Sequence, residues 1–307
     1  MKLYVNREYV GNRPWGGGAK FSDCVLNTFK DDTVRSIWEA DTALIVGIGG
    51  DGPHLSGDDI ADYKRKYNTQ LRIVLRVNDC DKRKNTKNVD KRIASVAQVA
   101  DHVVFVSQWM KDYFTYDSPH SFVHKIHPNA TVIVNGCDGN VFKADVHESV
   151  KLHNDGRIHA VYHSWSDNDL KGRDGIEFMR DFQRRHSDTH SFTFIGRTKV
   201  ELPRATHVQP LSGRPLANVL ALHDVYVFFS RFDPGPNACL EALSLGLPTY
   251  AHIDSGGGAE FVGQDHTFLN FDDLEKLLLL RQFKHNDTVV RSWEDVMKDY
   301  ERVLRNV

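Results

Sequence analysis

The residues best placed for chemistry lie near the C-terminus, in Asp233-Pro-Gly-Pro-Asn237-Ala-Cys-Leu-Glu241-Ala-Leu-Ser-Leu-Gly246-Leu-Pro248. Two carboxylates and a proline-stiffened loop follow Val225-Tyr-Val-Phe-Phe229, a continuous apolar run. Such a run suits a strand buried on both faces of a parallel sheet. Asn237 is a good N-cap, which predicts Glu241 about one turn inside the next helix. The carboxyl edge of a parallel sheet, beside a helix N-terminus, is where α/β folds hold phosphorylated ligands. Each acid also has a plainer reading. Glu241 can complement a helix dipole, worth about 0.3–1 kcal/mol, and Asp233 can be a turn residue before Pro234.

The elements that position these residues alternate along the chain. In the first half, strands are expected at 2–5, 43–46, 71–77, 102–106 and 131–134, with helices at 19–29, 58–67, 88–99 and 108–114. In the second half, strands are expected at 157–162, 191–195, 206–208, 225–229 and 248–251, with helices at 172–185, 215–222 and 237–245. Strands alternating with helices imply parallel sheets. A polar stretch at 145–155 is the expected linker. A last helix over 287–304 carries Val290, Trp293, Val296 and Tyr300 at helical spacing.

From about residue 103 to 262 the chain resembles family 4 of the glycosyltransferases, retaining nucleotide-sugar enzymes of the GT-B fold. The resemblance is carried by Asp233, Glu241-Ala242, Gly246-Leu-Pro248, Gly256-Gly257 and Glu260. Upstream it continues through His163-Ser-Trp165-Ser166-Asp-Asn168-Asp-Leu-Lys171-Gly172, Asn135-Gly136-Cys-Asp138 with Phe142, and Ser107-Gln-Trp109. The N-terminal third matches only through Gly16-Gly17. The fold this implies is α/β, with two Rossmann-like parallel-sheet domains facing across a cleft. Residues 1–150 would form the acceptor-side domain, 151–286 the nucleotide-sugar domain, and 287–307 a helix returning to the first. The implied activity is metal-independent transfer of a hexose-type sugar from a nucleoside diphosphate sugar to a hydroxyl, with retention. Glu241 would bond the ribose, Asp233 with Gly235, Pro236 and Asn237 would hold the sugar, and Lys171 would face the diphosphate. Gly16 and Gly17 would join the donor site.

Two departures stand out. The first acid is Asp233 where the family usually has Glu. The family's arginine five or six residues before the lysine is replaced by Trp165 or Ser166; Arg173, Arg197 and Arg231 are the substitutes by position. Two other readings stay open: an epimerase or phosphorylase on the same fold, or, given the missing arginine and the short first domain, a non-catalytic nucleotide-sugar binder.

Composition bounds the rest. The chain has 307 residues, enough for two α/β domains, and 40% hydrophobic residues, enough for real cores. A formal net charge of −2 carries no nucleic-acid footprint. Cys24, Cys80, Cys137 and Cys239 are widely spaced, which suggests reduced thiols and a cytoplasmic location. No run is long enough to span a membrane. Nothing in the sequence calls for a cofactor beyond the sugar nucleotide as co-substrate. The acceptor is left open among a glycan, a lipid-linked molecule and a small molecule.

Three constellations compete. Gly47-Ile-Gly49-Gly-Asp-Gly52 satisfies a dinucleotide fingerprint, but Pro53 follows at once, where the fingerprint needs a running helix. His54 in that loop is a candidate for the acceptor side. Asp79-Cys-Asp81 is a literal Asp-x-Asp; with Arg76 and Asn78 it ends a strand and is expected to face an acceptor rather than hold a metal. The basic run Lys82 to Arg92 reads as a solvated face, or as contact with a phosphorylated acceptor or anionic lipid at a membrane periphery. His120, His124 and His127 have suggestive spacing, but no acid or cysteine nearby completes a ligand set.

Overall fold

The computed structural model describes residues 1–8, 17–50, 52–122, 130–143 and 155–306. The chain divides into two compact units. One comprises residues 1–11, 15–135 and 293–307; the other comprises 12–14 and 136–292.

The first unit is built on a five-stranded parallel sheet in sequence order: β1 (Leu3–Val5), β2 (Thr42–Ile45), β3 (Arg72–Val77), β4 (His102–Phe105) and β5 (Ala130–Val132). Alternate residues of a strand face opposite sides, and that parity sorts two cores. Ala43, Ile45, Ile73, Leu75, Val103 and Phe105 pack on one side against α2 (Gly57–Lys66) and α4 (Val89–Ala97). Between them lies the short α3 (Asp81–Lys84), and after β4 comes α5 (Gln108–Asp112). On the other side Leu44, Val74 and Val104 meet α1 (Gly17–Thr28) and the last helix of the chain, Trp293–Asn306.

That last helix starts six residues later than its apolar spacing suggests. The backbone before it is committed elsewhere: Cys137 N–H donates to Arg291 O at 2.9 Å, and Cys137 bridges Ser292 in parallel. Extended pairing there keeps residues 291 and 292 out of a helix. The expected linker at 145–155 lies almost wholly outside the described residues.

The second unit is a six-stranded parallel sheet in the order β11-β10-β9-β6-β7-β8. Its strands are β6 (Ile158–Ser164), β7 (His190–Gly196), β8 (Thr206–Val208), β9 (Val225–Phe228), β10 (Thr249–His252) and β11 (Thr267–Phe268). The helices are α6 (Arg173–Arg185), α7 (Gly213–Leu220), α8 (Asn237–Ser244), α9 (Gly257–Val262) and α10 (Phe271–Leu280), so the last helix of the chain is α11. The chain steps outward from β6 through β7 to β8, then returns to lay β9 on the other flank of β6. Strand order therefore reverses between β6 and β9. In open α/β sheets the loops beyond the carboxyl ends of two such strands diverge and leave room for a ligand.

The short α9 and β11 were not expected from the sequence. Both are too brief for periodicity to register.

Candidate functional site

The loops after β6 and β9, at the reversal of strand order, carry Lys171 and Asp233. Lys171 ends a 3₁₀ turn, Asp169–Lys171, whose Leu170 N–H donates to the Asn168 side chain at 2.9 Å. Gly172 then takes φ +88°, and a Cβ there would sit 2.4 Å from Phe229 Cβ. Only glycine fits that left-handed, crowded position. Beneath the turn, buried Tyr162 donates its hydroxyl to Lys171 O at 2.8 Å and lies 2.9 Å from Ser230 Oγ. The two loops are tied together by Arg231 N–H, which donates to Leu170 O at 2.8 Å.

Asp233 is held by a third loop, the one after β10. Its N–H donates to Ser255 O at 3.1 Å, and its carbonyl accepts from Gly257 N–H at 2.8 Å. Gly256 between them has φ +72°, and a Cβ would come within 2.7 Å of Asp233 O. Close backbone approach thus accounts for glycine at 256. Phe232 adopts φ +51°, a costly conformation for a bulky residue, directly before the acid. The outcome is an ion pair between Lys171 Nζ and Asp233 Oδ2, whose side chains are only 17% and 9% exposed.

Glu241 lies on α8. Its Oε2 lies within hydrogen-bond distance of His163 Nε2, at 3.0 Å. The His163 Nδ1 atom is buried and has no hydrogen-bond partner among the described residues. His163 comes from the carboxyl end of β6, and Tyr226 of β9 packs edge-on to it with centroids 5.5 Å apart. No role was expected of His163, Tyr162 or Ser230 from the sequence, although His163 opens the segment that carries the resemblance. The available signal was a polar residue closing the apolar run Ile158–Tyr162.

Asn237 is the first residue of α8 rather than its cap. Pro236 holds the cap position with extended backbone. Proline cannot donate an amide hydrogen bond, so the two prolines of the loop set its direction by fixed φ angles. Glu241 still falls one turn into the helix. Gly235, Pro236 and Asn237 sit between Asp233 and Glu241, at the mouth of α8.

The three candidate arginines have different surroundings. Arg173 is exposed and bridges Asp169 at 3.3 Å and Glu177 at 3.1 Å. Arg231 donates to Asp174 at 2.8 Å and lies against the His252 ring. Burial first, and the Arg231 charge second, hold His252 below the usual histidine pKa. Arg197 lies over the Trp165 indole, its Cζ 4.0 Å from the ring centroid.

In the first unit, Gly17 opens α1, while Gly16 lies outside the described residues. The glycine-rich loop after β2 does not lead into a helix at once. Helix α2 waits for a capping box made by Ser56 and Asp59. Asn6 holds the loop's base, accepting from Val46 N–H at 2.8 Å and donating to Gly47 O at 2.9 Å. His54 sits in the loop with its ring 6.1 Å from Tyr4.

Arg76, expected on the acceptor side, is a buried residue. It is 2% exposed, its guanidinium lies 4.1 Å over the Phe21 ring, and Nη2 donates to Asn135 at 2.8 Å. Its position on the even-numbered face of β3 turns it toward α1 and α11. Asn78, with its amide oriented to satisfy both neighbours, accepts from Arg76 Nη1 at 2.6 Å. Asp79 pairs with Lys84 at 3.3 Å and Arg83 at 3.5 Å. Asp81 accepts from Val89 N–H at 2.9 Å and Thr86 Oγ1 at 2.7 Å. The Asp-x-Asp carboxylates therefore fasten α3 and the start of α4. Of the three spaced histidines, His124 and His127 lie outside the described residues.

No family model and no curated protein sequence matches the chain. Solved structures do. Sucrose-phosphate synthase from Thermosynechococcus elongatus superposes with a TM-score of 0.69 at 12% identity, covering 99% of this chain and 98% of that one. HepE of Anabaena, solved in complex with UDP-glucose, gives a TM-score of 0.68 at 11% identity, covering 99% of both chains. WaaG, a glycosyltransferase of lipopolysaccharide biosynthesis, gives 0.58 at 12% identity over 90% of each chain. The chain has the GT-B fold. Among the described residues no helix is long and apolar enough to cross a membrane.

Proposed function

We propose that this protein is a glycosyltransferase that moves a hexose-type sugar from a nucleoside diphosphate sugar to an acceptor hydroxyl, with retention and without a metal. One observation carries the reading. Two polar pairs, Lys171 with Asp233 and His163 with Glu241, lie on elements flanking the one reversal of strand order in the second sheet. HepE, a neighbour of the same fold, was solved with UDP-glucose bound.

In this reading the Glu241 carboxylate accepts hydrogen bonds from the ribose hydroxyls, with its free edge turned away from His163. Asp233 accepts from sugar hydroxyls, helped by backbone N–H groups of Gly235 and Asn237. Lys171 stabilises the charge that grows on the diphosphate as it leaves. A well-placed donor to such a charge is worth roughly 2.7–4 kcal/mol. The first turn of α8 adds its amides and dipole. The bond from the anomeric carbon to the phosphate oxygen breaks. The acceptor oxygen bonds to that carbon on the same face, and its proton passes to the departing phosphate. The acceptor is a glycan, a lipid-linked molecule or a small molecule.

The first test is calorimetric titration of the full chain with UDP, GDP and ADP, without added metal. One of them should bind, and Glu241→Ala should weaken that binding by about ten-fold, the worth of a charge-assisted hydrogen bond. Wild-type affinity in the Glu241 variant would falsify the site. Incubation with the matching sugar nucleotides should then release the diphosphate and leave an α- or β-linkage of the donor's own configuration.

A further inference from the structure

Four cationic side chains line one pocket at the carboxyl edge of the second sheet: Lys171, Arg173, Arg197 and Lys199. Three of them already face carboxylates. Lys171 pairs with Asp233, Arg173 with Asp169 and Glu177, and Lys199 with Asp167 at 3.7 Å. Arg231 on the adjoining loop pairs with Asp174. Arg197 differs: among the described residues no carboxylate lies within ion-pair distance of it. Its neighbour is the face of Trp165, 4.0 Å away.

The register explains why these two residues meet. Ser164 pairs with Gly196 at the carboxyl ends of β6 and β7, so the next residues, Trp165 and Arg197, leave the sheet side by side. Gly196 has φ +141°, and a Cβ there would lie 1.9 Å from Ser164 O. Glycine at 196 is therefore required for the strands to close up and bring the arginine onto the indole.

An aromatic face holds a guanidinium without cancelling its charge, whereas a carboxylate partner cancels it. A contact with a ring face uses none of the guanidinium's N–H donors as hydrogen bonds to an oxygen, and those donors form a planar edge. That edge matches two oxygens of a phosphate at once. A diphosphate carries several negative charges, and the Lys171 charge is shared with Asp233.

We infer that Arg197, held against the Trp165 ring, is the second cation of a diphosphate subsite beside Lys171. Trp165 is a positioning residue that acts through Arg197. The inference rests on the reading of this edge as a nucleoside diphosphate sugar site.

The experiment is titration calorimetry on the full chain with UDP, GDP and ADP and with uridine, guanosine and adenosine. Wild type is compared with Arg197→Ala, Arg197→Gln, Trp165→Ala and Trp165→Phe, each checked for an unchanged melting temperature. For the diphosphate that wild type binds, both Arg197 variants should lose about ten-fold or more in affinity, as expected for a charge-assisted bidentate contact. Affinity for the matching nucleoside should stay within about two-fold, since no phosphate is present. Trp165→Ala should resemble Arg197→Ala, Trp165→Phe should rescue it, and the double variant should be no weaker than Arg197→Ala alone. Wild-type diphosphate affinity in both Arg197 variants, with Glu241→Ala still weakened, overturns this inference and leaves the site intact. Equal losses for nucleoside and diphosphate also overturn it, by assigning Arg197 to the base. No diphosphate binding by wild type overturns both readings.

Discussion

Lys171 and Asp233 meet in a setting where neither ion is well hydrated. Removing one partner leaves the other charge partly buried and uncompensated. Lys171→Ala is therefore expected to destabilise the second unit by about 1–3 kcal/mol, measured by urea unfolding. Adding Asp233→Asn should recover most of that stability. Turnover should fall by about a hundred-fold in the single variant and stay low in the double, because the charge opposite the leaving diphosphate is gone. Recovery of turnover in the double variant would show that Lys171 matters only to the fold. Two histidines in the same unit make a separate residue-scale forecast. His190 is held below the usual histidine pKa by burial first, then by Arg281 and His186; His252 is held down by burial and then by Arg231. A histidine with a depressed folded pKa is protonated more readily in the unfolded chain. Its contribution is complete above the unfolded value of about 6.5 and is lost as pH falls from there toward the folded pKa. The melting temperature should thus drop between pH 7.5 and pH 5.5, and His190→Gln should narrow the drop.

At the scale of elements, the site depends on Gly172, Gly196 and Gly256, which allow loops to approach a strand end. Gly172→Ala combines a φ of +88° with a contact of 2.4 Å to Phe229 Cβ, and Gly196→Ala meets Ser164 O at 1.9 Å. Each should cost about 2 kcal/mol or more, from left-handed strain plus overpacking. Gly139→Ala makes a control, because a Cβ there meets nothing within 4 Å. Equal melting temperatures for all three would contradict the close-approach account. Boundaries were legible to within a few residues where apolar periodicity was long, as in β9 and α6. They failed where a distant partner decided them. The start of α11 is fixed by Cys137 pairing at residues 291 and 292, and α8 begins at Asn237 because Pro236 takes the cap position.

At the scale of the molecule, α11 completes the first unit from the far end of the chain. Trp293, Val296, Met297, Tyr300 and Leu304 are all buried against β1–β4 and α1. At about 1.5–3 kcal/mol for each buried side chain, removing residues 293–307 forfeits roughly 8–15 kcal/mol. That equals the whole stability of an ordinary domain, about 5–15 kcal/mol. Calorimetry of the truncated chain should show loss of one transition, the first unit's, with the second unit's retained. The thiols report on packing in both units. Burial pushes the Cys80 thiol up to about 12 and raises Cys137 and Cys239 as well, while Cys24 is partly exposed. A thiol-specific colorimetric reagent at pH 8 should titrate one group in the native protein and four after denaturation.

By itself the sequence determined the alternation of strands and helices, the parallel sheets, and the acids at 233 and 241 with the lysine at 171. Those are local properties: an apolar run, a turn residue, a cap and a spacing survive in a linear string. The strand order of the second sheet, with its reversal between β6 and β9, came only from tertiary structure. So did the pairing of His163 with Glu241, the burial of Arg76 under Phe21, and the stacking of Arg197 on Trp165. In each case the partners are far apart in the chain and meet because strand register or strand parity brings them together. A residue's own neighbours in sequence carry no record of which strand will lie beside it, and that is what decides whether a charge is cancelled, buried or left open to a ligand.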